Sequence, residues 1–260
     1  MTSIRPLSRH AVPLLAALAF FFCLAPLHSG DADPNIERLR RRISEVTIGV
    51  AQGLISEQET TEEKADTALV IGAMFEVGQL EESDPMLAFE FYRQASEYGC
   101  AEADCALGNF YYAGLDTPQG RVPRDQEKAR EYYQKAARHG STAAMMRMGM
   151  IFADGMGVDP DPKKALPYFQ DAASRGDEEA LRRLEPVMRQ AKEWQDAKPG
   201  RKANFPTSRD EIVKPELARQ AQNRSAKLDR LASHTYVELN KRIAIELKKE
   251  MSNVPGTGRR

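Results

Sequence analysis

The sequence predicts an all-α protein: a right-handed α-solenoid of about three helix-pair repeats, with a capping helix at each end and a long C-terminal helix. Three observations predict it. A glycine, an aromatic residue and a second glycine recur at fixed offsets, as Gly72, Phe75, Gly78; Gly108, Tyr111, Gly114; and Gly149, Phe152, Gly155. A matching second half follows each time, in which Ala88, Tyr92, Ala95 and Gly99 correspond to Ala129, Tyr133, Ala136 and Gly140, and then to Ala165, Phe169, Ala172 and Gly176. Beyond Pro215 no glycine or proline interrupts the chain as far as Met251, and Leu228, Ala232, Tyr236, Leu239, Ile243 and Leu247 form a stripe of helical spacing.

Each half of the repeat reads as one helix. Offsets of four and seven put the alanines and the aromatic on one face, and the small residues let a partner helix come close. An aspartate stands four residues before the first alanine in every unit, Asp84, Asp125 and Asp161. There it suits an N-cap that accepts from the free amides of the first turn. Asp84-Pro85 and Asp161-Pro162 add proline where its missing N–H costs nothing. Gly99, Gly140 and Gly176 suit the left-handed residue that ends a helix. The period is 36 residues from Gly72 to Gly108 and 41 from Gly108 to Gly149, the longer step lying in the loop between Gly114 and Val122. One pair cannot bury its own apolar face, so stacked pairs supply the core.

Taken in order, residues 1–32 read as a secretory signal peptide. Arg5 and Arg9 precede an apolar run from Ala11 to Leu27, and small residues follow, with cleavage after Gly30 or Ala32. The alternative is a membrane anchor, for which about 17 residues containing Pro13 and Pro26 are short against the roughly 20 a span needs. No other stretch could cross a membrane. Residues 33–60 carry four arginines (Arg38, Arg40, Arg41, Arg42) and the stripe Ile43, Val46, Val50, Leu54, an N-terminal helix that covers the first repeat. Residues 61–195 hold the array, opened by a capping box of Thr60 and Glu63. Asp177 begins a fourth first-helix, but Glu185-Pro186 stands where the glycine should be, so the array closes there with a degenerate cap. Pro167, inside the third second-helix, predicts a kink. Residues 196–214 read as a linker, and 215–260 as a basic amphipathic helix with a frayed end.

The runs Ala106 to Gly114 (ALGNFYYAG), Asp154 to Val158 (DGMGV) and Glu131 to Gly140 (EYYQKAARHG) resemble the Sel1-like repeat, a relative of the tetratricopeptide repeat. The resemblance covers a little under half the chain. It implies an α-solenoid that binds other proteins as an adaptor or regulator, in bacteria often in the envelope or secreted. Related arrays line a concave face with one stripe of each first helix. Here that stripe is Leu69, Ala73 and Glu76; Cys105, Asn109 and Tyr112; and Met146, Met150 and Ala153, with Asp154 beside it. Methionines suit an adaptable groove, but at this spacing they also suit a core, or a surface covered by the protein's own long helix.

Nothing in the sequence builds a catalytic or metal centre. After the leader only His139 and His234 remain, neither in a ligand spacing with Cys, Asp or Glu. No serine has a lysine three residues on, and no nucleophile elbow or phosphate loop is present. The acidic pairs Glu81-Glu82 and Glu178-Glu179 lie beside helix starts, where the dipole explains them. The expectation is a protein without cofactor, not an enzyme; a cell-wall-active or penicillin-binding activity, proposed for some relatives, is the lesser alternative. Cys100 and Cys105 are either a disulfide or a free Cys100 beside a buried Cys105. Charge is uneven: residues 33–198 carry 21 Lys and Arg against 30 Asp and Glu, net −9, while residues 199–260 carry 14 against 7, net +7. The basic tail could lie on its own solenoid, bind an acidic partner, or pair with a second copy through residues 215–251. Export and the shortage of aromatics argue against nucleic acid.

Overall fold

The computed structural model describes residues 34–80, 84–196 and 212–252. The leader, Glu81 and Glu82, residues 197–211 of the linker and the chain beyond 252 lie outside the described residues. The helices run in order: α1 (Pro34–Ser56), α2 (Thr61–Glu76), α3 (Pro85–Glu97), α4 (Ala101–Ala113), α5 (Gln126–Arg138), α6 (Thr142–Asp154), α7 (Pro162–Ser174), α8 (Glu178–Asp196) and α9 (Pro215–Ser252). The pairs α2/α3, α4/α5 and α6/α7 are the three units, α1 precedes them, and α8 packs on α7 as an unpaired fourth first-helix.

The repeated slots do what their chemistry dictates. Asp84, Asp125 and Asp161 each accept from two amides of the following first turn. Their own amides donate to the carbonyls of Phe75, Tyr111 and Phe152 at 2.7–3.1 Å, which closes the loop of each unit in the same way. Thr60 and Glu63 form the full reciprocal capping box. Gly99, Gly140 and Gly176 have φ of 88°, 93° and 84°. The amides that follow them, on Cys100, Ser141 and Asp177, reach back to Ala95, Ala136 and Ala172, closing the six-to-one bond of a helix end.

The first glycine of each unit marks the point where the two helices touch. A Cβ at Gly72 would stand 2.9 Å from Tyr92, at Gly108 2.6 Å from Tyr133, and at Gly149 2.8 Å from Phe169. A second repeated contact sits beside it, where Phe75 stacks on Phe91, Tyr111 on Tyr132 and Phe152 on Tyr168, with centroids 5.3–5.9 Å apart.

Three features differ from the sequence expectation or refine it. The extra residues of the second unit form a β-hairpin, β1 (Leu115–Thr117) with β2 (Gly120–Val122), antiparallel with Leu115 opposite Val122. It is not a bare loop, because Val122 is buried in the N-terminal core and Thr117 ties the turn through its hydroxyl. Pro167 lies inside α7 and Pro186 inside α8, and each helix continues beyond its proline. The core is divided within α4: Cys100, Ala103 and Leu107 pack with α1 to α3 and α9, while Cys105 packs with α5 to α8.

Candidate functional site

The predicted binding stripe is not uniform along the array. In the first unit Leu69 is buried, Ala73 is half-buried, and Glu76 is exposed and accepts from the Tyr92 hydroxyl at 2.6 Å. In the second, Cys105 is buried, Asn109 is exposed and accepts from the Tyr133 hydroxyl at 2.9 Å, and Tyr112 is half-buried, donating to the Met156 sulfur. In the third, Met146 is buried, Met150 and Ala153 are half-buried, and Asp154 is exposed, 3.7 Å from Arg183 of α8. The two polar stripe residues Glu76 and Asn109 thus hold phenols of their own units, whereas Phe169 in the third unit has no hydroxyl to hold.

The C-terminal helix lies on its own solenoid. Its apolar stripe, from Leu228 to Leu247, packs against the N-terminal core of α1 and α2. The stripe that a coiled coil would need is therefore used within the chain. Two basic residues carry the contact along the array. Arg224 reaches Asp66 at 2.6 Å and Glu102 at 3.0 Å, and Lys227 reaches Glu62 at 2.6 Å and Asp66 at 2.9 Å. Further on, Arg242 pairs with Glu57. Asp66 and Glu102 are equivalent by repeat, six residues before Gly72 and Gly108, and they begin the stripes that continue as Leu69 and Cys105. The tail thus crosses the N-terminal end of the predicted face in units one and two. Asp66 has a side chain only 1% exposed and would be an isolated buried charge without Arg224 and Lys227. Burial raises the Glu102 carboxyl, but the Arg224 hydrogen bond and charge outweigh it and hold the group below its ordinary value. Arg224 is correspondingly held above its own, against its burial.

A second buried acid ties units one and two together. Asp104, 0% exposed, accepts from the Ser96 hydroxyl and from Lys135 at 2.8 Å. Lys135 also donates to the Ser96 hydroxyl at 3.1 Å, a meeting of hydroxyl and amine that the sequence does not suggest. The serine hydroxyl donates to Asp104, and the Lys135 amine donates to both partners.

The two thiols stand apart. Cys100 and Cys105 are free and buried, in different halves of the core. Cys100 occupies the N-cap of α4 without capping it, and its Sγ donates to Glu102 at 3.4 Å. Burial pushes the Cys100 thiol up to about 12 and the Cys105 thiol to about 11. Among the described residues no group of three or more His, Cys, Asp and Glu is placed to hold a metal, and no helix is long and apolar enough to cross a membrane. A groove of about 510 Å3 opens between α1 and α9, lined by Val46, Gly49, Val50, Gly53 and Ile245, well apart from the stripe of α4 and α6.

This geometry defines a helix-pair α-solenoid of the kind built for contacts with other proteins. The Sel1 repeat family model matches residues 67–99, 101–141 and 142–177, and the protein carries three Sel1 repeats in tandem. Among solved structures, a Sel1 repeat protein from Oxalobacter formigenes is 25% identical with a TM-score of 0.41, the match covering 56% of this chain and 98% of that one. The protein c5321, a protective antigen present in uropathogenic Escherichia coli strains and displaying an SLR fold, is 18% identical with a TM-score of 0.30, over 75% of this chain and 50% of that one. Comparison with curated proteins gives no match.

Proposed function

We propose that the protein is an exported, non-catalytic adaptor that recognises a helix or an extended segment of another protein on the open part of its concave stripe. Export rests on the leader-like residues 1–32; the site rests on one observation. Tyr112, Met150 and Ala153 are partly exposed apolar groups resting on the C-terminal core, flanked by exposed Asn109 and Asp154, and α9 packs mainly on α1 and α2, with Arg224 on Glu102 and Ala218 against Gly176 beyond them. Methionine and tyrosine in such a place give large, adaptable contact area. The burial of Ser96, Asp104 and the Asp104 end of their ion pair favours a structural tie over a wall-active hydrolase there, and the internal use of the α9 stripe favours the adaptor over a self-paired scaffold.

The test is a crosslinking capture from the native envelope fraction with the full mature chain and its Tyr112→Ala/Met150→Glu variant, with bound proteins identified by mass spectrometry. Specific proteins held by the parent and lost by the variant support the reading. Capture of only the chain's own copies, or of the same proteins by both forms, removes it.

A further inference from the structure

The two halves of α9 are held by different forces. From 232 onward the helix buries Thr235, Leu239 and Ile243 in the N-terminal core. From 215 to 231 it buries no side chain; Leu228 and Leu231 only rest against that core. At its start the Lys214 amide donates to the Ser174 carbonyl at 2.9 Å, and Ala218 lies against Gly176, so this end touches the third unit. Between that point and the apolar half, the fastening is Arg224 on Asp66 and Glu102 and Lys227 on Glu62 and Asp66. These ties span the first-helix starts of units one and two, where the concave stripes begin.

We propose that residues 215–231 are a releasable strap, fastened by charge across the N-terminal end of the concave face, which opens while residues 232–247 stay docked. The physical ground is the difference in fastening. Apolar burial is indifferent to salt at moderate concentration, whereas ion pairs at the surface are screened by it. Lys227 and Glu62 are well exposed and Arg224 and Glu102 partly so, and salt weakens these outer pairs; Asp66 is buried and less screened, so removing both cations tests its tie directly. Opening leaves Asp66 to be hydrated beside Glu62 and Glu102, so the freed end is acidic. When closed, the strap bars a partner from that end of the stripe. The inhibitory meaning of the contact rests on the adaptor reading; the release itself does not.

The test is hydrogen exchange by mass spectrometry on the full chain, in about 0.05 M and about 0.5 M NaCl, a change that shortens the Debye length several-fold. The Arg224→Gln/Lys227→Gln variant is followed at the lower salt. Amides of 219–231 are expected to exchange at least about tenfold faster in high salt and in the variant, a change of about 1.4 kcal/mol in opening. Those of 236–247 and of α5 to α8 should stay within about twofold. No change in 219–231, or an equal change in both halves, overturns the strap. In the capture experiment the variant should recover more of the partner than the parent; equal recovery overturns the inhibitory role. If neither form recovers a partner, the adaptor reading falls while the exchange result still decides the strap.

Discussion

Gly108→Ala and Gly49→Ala are the same chemical change in two helices, and the structure gives them opposite signs. A methyl at Gly108 would lie 2.6 Å from Cδ1 and Cε1 of Tyr133 and 3.1 Å from Cζ. Since carbon atoms pack at about 3.5 Å or more, the ring would have to retreat by roughly 0.9 Å. It has little room to do so, being buried, with its hydroxyl fixed on Asn109. Overpacking of a tight core costs about 1–3 kcal/mol, and replacing glycine by alanine inside a helix returns about 1 kcal/mol. With the ring fixed the upper end of the cost applies, so the net loss is about 1–2 kcal/mol. At Gly49 nothing lies within 4 Å of the added carbon, and only the helix gain of up to about 1 kcal/mol remains. For a chain of this size each kcal/mol moves the melting temperature by about 2–4 °C. Thermal melts followed by far-ultraviolet circular dichroism should therefore place Gly108→Ala about 2–8 °C below the parent and Gly49→Ala above it by up to about 4 °C. Gly149→Ala should follow Gly108→Ala, since Phe169 lies 2.8 Å from the added carbon. A Gly108→Ala protein that melts at or above the parent temperature would refute the reading of these glycines as the contact points of each pair.

Two further outcomes follow from the buried groups. Lys135→Met deprives the fully buried Asp104 of its cation; it should cost about 2–3 kcal/mol in urea unfolding, below the usual ~3–5 because Lys135 is itself partly exposed. Adding Asp104→Leu should restore most of that loss, and a Lys135→Met protein as stable as the parent would show that the pair is not a tie between units. The two thiols, buried and raised, should react with a thiol-specific reagent at neutral pH only after unfolding. Because their folded values lie above the ordinary 9.0, their contribution to stability is present below that pH and is lost as pH rises from about 9 toward about 12. Rapid reaction of either thiol in the native chain, or a mass two units low from a bridge, would contradict this.

The array was legible because its signals are local and repeated. Asp84, Asp125 and Asp161 act within two or three residues of themselves, and Gly72, Gly108 and Gly149 are read against aromatics less than 30 residues away. The hairpin at 115–122 was not legible, since three-residue strands show no period and one buried residue, Val122, holds them in place. Nor was the seat of the tail. Arg224 interrupts an apolar stripe and reads as a defect in a coiled coil; in the structure it is the residue that joins the tail to Asp66 and Glu102, 158 and 122 positions away. A signal for it existed in the alignment of the units. Asp66 and Glu102 share a slot that holds Ala143 in the third unit, and Asp104 stands where Ala68 and Met145 are apolar. A charge in a slot that its sister units leave uncharged marks a partner elsewhere in the chain.

That rule can be turned round to read the units against one another. Beside the stacked aromatic pairs, the first unit carries Leu87, packed against the core, and its rings Phe75 and Phe91 are buried. The second and third units carry Lys128 and Lys164 in that slot, lying 5.4 Å and 5.8 Å over the rings of Tyr111 and Phe152, which remain partly open to solvent. One slot thus takes an apolar residue where the chain covers it and a cation over the ring where water does. The concave stripe departs from this pattern in the third unit. Ala143 replaces the acids that receive the tail, and Met150 and Ala153 stay apolar although half-exposed. By the logic of the other slots, apolar residues belong where something covers them. The first unit has α1 and α9 for that purpose; in the third, Met150 and Ala153 rest on the core of α5 to α8 with part of each side chain open, and that open part is the ground on which the adaptor proposal stands.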